Sequence, residues 1–128
     1  MKKLFFLLIF STAFVFSALG EITVNRIQIS TDIVDREPVG VSQNFSGSKI
    51  DKLYCFTEIL TDNFPTKIVH IWLYNDNIIA EVPLNVNSSK WRTYSSKRIL
   101  PSWSGRWKVE VYSEDGALIG SKSFNVNE

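Results

Sequence analysis

The chain has 128 residues, with 14 Lys and Arg against 13 Asp and Glu, one His and one Cys. This length suits one domain with a modest core. The net charge of +1 argues against bulk electrostatic attraction to nucleic acid or to an anionic membrane. A single Cys excludes an internal disulfide, so side-chain packing must hold the fold together.

The N-terminal segment has the residue order of a secretory signal peptide. A short basic start precedes an apolar run over residues 4–16, and the small residues Ala18 and Gly20 follow at the positions that a signal peptidase reads. The run is shorter than the roughly 20 residues that span a bilayer. We predict a cleaved signal peptide over residues 1–20, one domain over 21–128, no membrane span after cleavage, and a periplasmic or secreted location. A retained membrane anchor is the alternative.

Alternation with a period of two dominates the rest of the chain, and turn residues recur roughly every 8 to 12 positions, which is typical of all-β proteins. We predict a small immunoglobulin-like β-sandwich of seven or eight mostly antiparallel strands. The predicted strands cover residues 24–33, 49–60, 67–75, 78–86, 91–99, 106–113 and 117–126.

The third predicted strand carries two apolar sets on opposite faces. The aliphatic set is Val69, Ile71 and Leu73, and the ring-bearing set is His70, Trp72 and Tyr74. A two-residue turn at Asp76 and Asn77 would place the aliphatic set opposite Ala80, Val82 and Leu84. We therefore predict that the aliphatic set faces the core and that the ring-bearing set faces outward.

The other strands are divided in the same way. The predicted core residues are Leu53, Cys55, Thr57, Ile59, Trp91, Trp107, Val109 and Val111, and the predicted outward residues are Tyr54, Phe56, Glu58, Arg92, Tyr94, Ser96 and Arg98. If the second and third strands pair, Glu58 lies opposite His70 and Phe56 opposite Trp72. In an immunoglobulin-type sandwich, those two strands could instead lie on different sheets.

Catalytic and metal chemistry have little support in the sequence. One His and one Cys are too few for a closed zinc site, and the acidic residues are too sparse for a calcium loop. Glu58 and His70 could orient and activate a hydroxyl of Ser95 or Ser96, but no nucleophile motif accompanies them. We predict no enzyme activity, no metal and no cofactor, and we interpret Glu58 and His70 as a pair on a sheet surface.

The outward aromatic residues lie in a chain segment that is rich in positive charge. Six basic residues, Lys90, Arg92, Lys97, Arg98, Arg106 and Lys108, occur with no acidic residue between Glu81 and Glu110. Aromatic rings beside Arg and Lys suit a glycan or a protein partner. We predict a non-catalytic binding module whose partner is a glycan or a cell-envelope protein. The alternatives are a structural or assembly subunit, and a face that is covered by the loop over residues 34–48.

Six segments together resemble a bacterial family known as domain of unknown function 2914: residues 35–38 (DREP), 53–58 (LYCFTE), 70–72 (HIW), 91–97 (WRTYSSK), 105–109 (GRWKV) and 124–126 (FNV). The resemblance implies a β-rich, exported or membrane-tethered domain without an established activity. The family usually has Arg where Ile71 stands, so no role of that Arg can be transferred. With the aromatic pattern, the resemblance favours a binding site of Glu58, His70, Trp72, Tyr74, Arg92, Tyr94, Ser96 and Lys97.

Overall fold

The computed structural model describes residues 21–128, so the predicted signal peptide lies outside the described residues. The described chain forms ten strands: β1 (Ile22–Ser30), β2 (Asp32–Val34), β3 (Glu37–Val39), β4 (Asn44–Ser46), β5 (Lys52–Thr61), β6 (Thr66–Tyr74), β7 (Asn77–Val86), β8 (Lys90–Arg98), β9 (Gly105–Ser113) and β10 (Leu118–Asn127). Within residues 21–128, no helix has the length and apolarity needed to cross a membrane.

The strands form two sheets and a separate hairpin. One sheet has the order β1-β5-β8, the other has the order β4-β10-β9-β6-β7, and β2 pairs only with β3. All neighbours are antiparallel except β4 and β10. The prediction of an all-β sandwich is confirmed. The short strands β3 and β4 lie where the sequence predicted a break and a loop.

The core lies between the two sheets and is centred on aromatic rings. Phe124 stacks on Trp107 with ring centres 5.9 Å apart, and it meets Trp72 and Phe45 edge to face at 6.3 and 6.0 Å. Aliphatic residues of both sheets, such as Ile29 and Val109, complete this cluster. Because the packed residues come from β1, β5, β6, β9 and β10, the cluster joins the sheets into one sandwich.

The faces of β6 are the reverse of the sequence prediction. Ile68, His70 and Trp72 are fully buried, whereas Val69 and Ile71 are only partly buried on the outer side. The register with β9 explains this result, because Trp72 lies beside Val109 and His70 beside Val111. The inward direction of Val109 and Val111 was predicted correctly, and neighbouring residues of paired strands share a face.

The hairpin between β6 and β7 differs from the predicted one in its turn and in a bulge, and the bulge is the source of the error. Asn75 and Asp76, rather than Asp76 and Asn77, form a two-residue turn, and both have positive φ angles of 47° and 71°. This is the backbone that a tight hairpin turn with a right-handed strand twist requires. This turn alone would place Ile71 opposite Ala80, but the extra residue Ile79 of β7 shifts the register by one, so Ile71 lies opposite Glu81.

The other strand predictions fare better. The predicted core residues of β5 are all buried, and Trp107, Val109 and Val111 of β9 face inward as expected. The pairing of the second and third predicted strands is wrong, because β5 and β6 lie on different sheets. The alternative, an immunoglobulin-type arrangement, is the observed one.

Candidate interaction face of the three-stranded sheet

The predicted binding residues fall into two separate places. Glu58, Arg92, Tyr94 and Ser96 point to the outer side of the three-stranded sheet, whereas His70, Trp72, Tyr74 and Lys97 point to the interior side of their strands. His70 and Trp72 are inaccessible to a partner. The predicted contact surface that included them is therefore wrong.

His70 and Trp72 instead belong to an inter-sheet hydrogen-bond chain. Trp72 Nε1 donates to Ser95 Oγ at 3.0 Å, and Ser95 Oγ lies 2.6 Å from His70 Nδ1. His70 Nε2 lies 3.2 Å from Thr57 Oγ1, which donates to the backbone oxygen of Thr93. Five residues of β5, β6 and β8 thus connect the sheets through polar atoms.

The donors of this hydrogen-bond chain determine which ring nitrogen of His70 carries the proton. Burial lowers the pKa of His70 to about 3, so the ring is neutral near pH 7. Thr57 gives its one hydroxyl hydrogen to the Thr93 backbone oxygen, so it can only accept from His70 Nε2. Nδ1 then accepts from Ser95, which also accepts from the Trp72 N–H. Nε2 therefore carries the proton of His70 and donates it to Thr57. No buried side-chain polar atom of the described residues is left without a partner.

The predicted pair of Glu58 and His70 does not form. Glu58 follows Thr57 on β5, and successive side chains of a strand point to opposite faces, so its carboxylate lies on the outer side of the sheet. A Ser–His contact exists, but Ser95 is buried and bonded to Trp72. The constellation proposed for an activated hydroxyl is thus not assembled by these residues.

Tyr74 and Lys97 lie at one end of the sandwich, around Trp103. The Tyr74 ring stacks on Trp103 at 6.1 Å, and its hydroxyl donates to the backbone oxygen of Ser104 at 2.7 Å. Lys97 Nζ lies 5.1 Å from the centre of the Trp103 ring. Trp107 Nε1 donates to the Trp103 backbone oxygen, which ties this loop to β9. The cluster closes the end of the core.

The outer face of the three-stranded sheet is built from three rows of side chains. Each row runs across β1, β5 and β8: Arg26, Glu58 and Arg92; then Gln28, Phe56 and Tyr94; then Ser30, Tyr54 and Ser96. The first row is charged, the second is partly aromatic, and the third carries three hydroxyl groups. The face therefore changes from ionic to aromatic and polar along the strands.

Glu37 of the β2–β3 hairpin is bound between two arginines of the first row. Its carboxylate oxygens lie 2.7 Å from Arg26 Nη2 and 2.6 Å from Arg92 Nη1. Hydrogen bonds from Arg26 and Arg92 lower the pKa of Glu37 to about 2. Arg92 also donates to the Arg36 backbone oxygen at 3.3 Å. The ion pairs hold the hairpin against this end of the face.

The hairpin and Arg26 cover the deeper part of the face. The Arg26 guanidinium lies 4.7 Å from the centre of the Phe56 ring, and Phe56 is fully buried. Glu58 is also buried, with Asn25 Nδ2 donating to it at 2.7 Å and Arg26 3.7 Å away. The alternative prediction, in which the loop over residues 34–48 covers this face, therefore holds for Phe56 and Glu58, which are covered. No sequence signal pointed to Arg26 or Asn25, and Glu37 stood out only as part of the DREP motif.

Tyr94 and Tyr54 form the open part of the face. Their rings meet edge to face with centres 6.0 Å apart, and Tyr94 is 46% exposed. Lys52 Nζ lies 5.9 Å from the centre of the Tyr54 ring. Ser96 is exposed beside them on β8. These four residues, called the tyrosine face below, are accessible to a partner.

The basic run of the sequence is largely balanced in space. Arg92 pairs with Glu37, Arg98 with Asp51 at 3.5 Å, Arg106 with Asp76 at 3.6 Å, and Lys108 with Glu110 at 3.3 Å. The prediction of an uncompensated positive patch is therefore wrong for these four residues. Among residues 21–128, no three His, Cys, Asp or Glu side chains cluster as metal ligands would.

Comparison with known families and structures agrees with the fold. Residues 65–126, which extend from the start of β6 to the end of β10, match the family described as "Protein of unknown function (DUF2914)". This match confirms the resemblance in the sequence over the second half of the chain. No curated protein matches the chain.

A solved structure with the same architecture is an immunoglobulin-like protein from Pseudomonas aeruginosa. It is 12% identical, with a TM-score of 0.54, and the match covers 84% of this chain and 97% of that one. At this identity the likeness shows the fold alone. The immunoglobulin-like sandwich prediction is thus confirmed.

Parts of two larger enzymes match less well. They are beta-glucosidases from Listeria innocua and Kluyveromyces marxianus, with 7% and 12% identity and a TM-score of 0.47 each. Both matches cover 86% of this chain but only 16% and 14% of the enzymes. These likenesses carry no functional argument.

Proposed function

We propose that the protein is an exported, non-catalytic binding domain that contacts a glycan or an envelope protein through the tyrosine face. The single observation that carries this proposal is the exposure of Tyr94 beside Tyr54 on a rigid sheet. Tyrosine supplies a large, flat contact area at a low cost in side-chain entropy, and it is enriched in binding surfaces. Lys52 and the hydroxyl of Ser96 add polar groups at the rim.

The ion pairs under the β2–β3 hairpin support this proposal, because they restrict the motion of the strands that carry the tyrosine face. Glu37, Arg26 and Arg92 form a network of ion pairs directly beside the Tyr94 row. β5 lies in the centre of the sheet and holds Tyr54 in a fixed position against Tyr94. A preorganised surface loses less conformational entropy on binding than a flexible one.

Affinity for bacterial envelope glycans, measured on an array with wild type and Tyr94→Ala, tests the proposal. We expect Tyr94→Ala to weaken binding at least tenfold, with an unchanged melting temperature. Tyr112→Ala is the matched control, because Tyr112 lies on the outer side of the other sheet. For a protein partner, a photoreactive residue at position 94, but not at 112, would cross-link it. Equal effects at both positions would contradict the proposal.

An assembly subunit is a second candidate, supported by the position of β8. In the described chain, β8 pairs only with β5 and forms one edge of the three-stranded sheet. An edge strand can accept a strand from a partner. In such a complex, amide hydrogen exchange would slow at the alternate residues of β8 whose N–H groups point away from β5. Protection confined to the side chains of the tyrosine face, without slowed β8 amides, would argue against strand addition.

A further inference from the structure

The outer side of the five-stranded sheet carries a groove of about 380 Å³ that the tyrosine face does not include. Two rows of paired residues form its floor: Leu73, Lys108 and Ser123, then Arg106, Asn125 and Asn44. Ser123 is short, whereas its neighbours are long, and this difference makes the surface concave. The volume falls within the range of roughly 300 to 1,000 Å³ that is usual for small-molecule sites.

The side chains along one wall of the groove both donate and accept hydrogen bonds. Gln43, Asn44 and Asn125 carry amides, and Ser123 carries a hydroxyl. The backbone N–H of Asn125 donates to the Gln43 oxygen at 2.9 Å, which fixes this wall to β10. A ligand rich in hydroxyl groups matches such a wall, because each hydroxyl also donates and accepts.

The centre of the groove, on β9, supplies cations with unused donors. Arg106 has five N–H donors, and its contact with Asp76, which also lines the groove, is 3.6 Å, longer than a charge-assisted hydrogen bond. Lys108 lies 3.3 Å from Glu110. One contact each with Asp76 and Glu110 leaves further N–H donors on both side chains, and these can bind a carboxylate in the groove. Leu73 provides an apolar patch on the β6 side of the groove, next to Lys108, against which the C–H face of a sugar ring would pack.

We propose that this groove binds a pyranose residue that carries a carboxylate. The amides and the hydroxyl hold the ring hydroxyls, Leu73 contacts the ring, and Arg106 and Lys108 bind the carboxylate. Nucleic acid bases fit less well, because the open part of the groove offers Leu73 rather than a stacked aromatic ring. The site lies on the sheet opposite to the tyrosine face and does not depend on it.

Titration of the purified, isotope-labelled protein with digalacturonic acid tests the proposal by NMR. We expect chemical-shift changes confined to residues of the groove, above all near Lys108, Ser123 and Asn125. The matching neutral digalactoside should bind at least fivefold more weakly, and inorganic sulfate should not reproduce the pattern. Equal binding of the neutral sugar, or an equal pattern with sulfate, would overturn the proposal, as would an absence of changes in the groove.

Two variants separate binding from folding. Lys108→Met should weaken the binding of digalacturonic acid at least fivefold. Lys122→Met, on the same sheet but outside the groove, should leave this binding unchanged. Ser123→Trp should fill the groove and abolish binding while the melting temperature holds. Unchanged binding in Ser123→Trp would overturn the site. Tyr94→Ala should leave this binding unaffected, so the groove and the tyrosine face can fail independently.

Discussion

The hydroxyl of Ser95 lies 2.6 Å from Nδ1 of His70, in the space between the two sheets. Ser95 belongs to β8 and His70 to β6, so this bond joins strands that share no backbone pairing. Trp72 and Thr57 extend it on either side. A histidine can occupy the centre of this sandwich because both ring nitrogens have partners there.

Ser95→Ala tests the energetic weight of this chain. The change leaves Trp72 Nε1 and His70 Nδ1 buried without partners, and each unsatisfied group costs about 1–3 kcal/mol. We expect the free energy of unfolding, measured in urea, to fall by about 2–4 kcal/mol. Ser96→Ala, at the exposed neighbouring position, should change it by less than about 0.5 kcal/mol. Similar values for both variants would contradict the assignment.

The burial of His70 predicts a loss of stability in mild acid. Its pKa is about 3 in the folded protein and near the ordinary 6.5 in the unfolded chain. The unfolded state therefore binds a proton first, and stability falls as the pH drops from 6.5 toward 3. The slope is about 1.4 kcal/mol per pH unit, or about 3 kcal/mol between pH 7 and pH 4.

Urea unfolding between pH 5 and 7 isolates this effect, because His70 is the one histidine of the chain. His70→Gln should flatten the dependence over this range, even if it lowers the overall stability. An equal slope in wild type and variant would show that another group titrates.

The ion pairs of Glu37 predict the local stability of the β2–β3 hairpin. In Glu37→Ala, Arg26 and Arg92 lose their shared carboxylate, and we expect severalfold faster amide hydrogen exchange over residues 31–40. Salt at 1 M should reproduce part of this change in the wild type by screening. Asp51→Ala removes only an exposed contact with Arg98 and serves as the control. An unchanged exchange rate in Glu37→Ala would contradict the conclusion that these ion pairs hold the hairpin in place.

Cys55 should be chemically inert in the folded protein. It is fully buried in the core, and burial raises the pKa of its thiol far above the usual range. We expect a disulfide reagent at pH 8 to react at least about 100-fold more slowly with the native protein than with the chain in denaturant. Comparable rates would mean that this part of β5 opens freely.

Much of the fold follows from local patterns. On β9, charged residues alternate with Trp107, Val109 and Val111, so only one face can be apolar, and the prediction is correct. Cys55 and its neighbours on the core face of β5 follow the same logic. Turn residues also located the connections between the long strands.

The prediction of which face of β6 is buried was wrong because both faces of this strand are apolar. Alternation cannot choose between Ile71 and Trp72 when neither neighbour is charged, and the choice then depended on the turn. The bulge at Ile79 on β7 shifts the register by one residue, and a shift by one residue exchanges the faces that the pairing matches. The hydrogen-bond partners of His70 lie on β5 and β8, 13 and 25 residues away, and no local signal connects them. The candidate site changed accordingly, from Trp72 to the tyrosine pair.

Thr57 determines which of its two neutral forms His70 adopts. Its hydroxyl hydrogen goes to the Thr93 backbone oxygen, so Thr57 can only accept from Nε2, and Nδ1 is left to accept from Ser95. A valine at position 57 would remove this acceptor, and the imidazole would lose the group that fixes its tautomer. Nitrogen NMR of the imidazole would record the change.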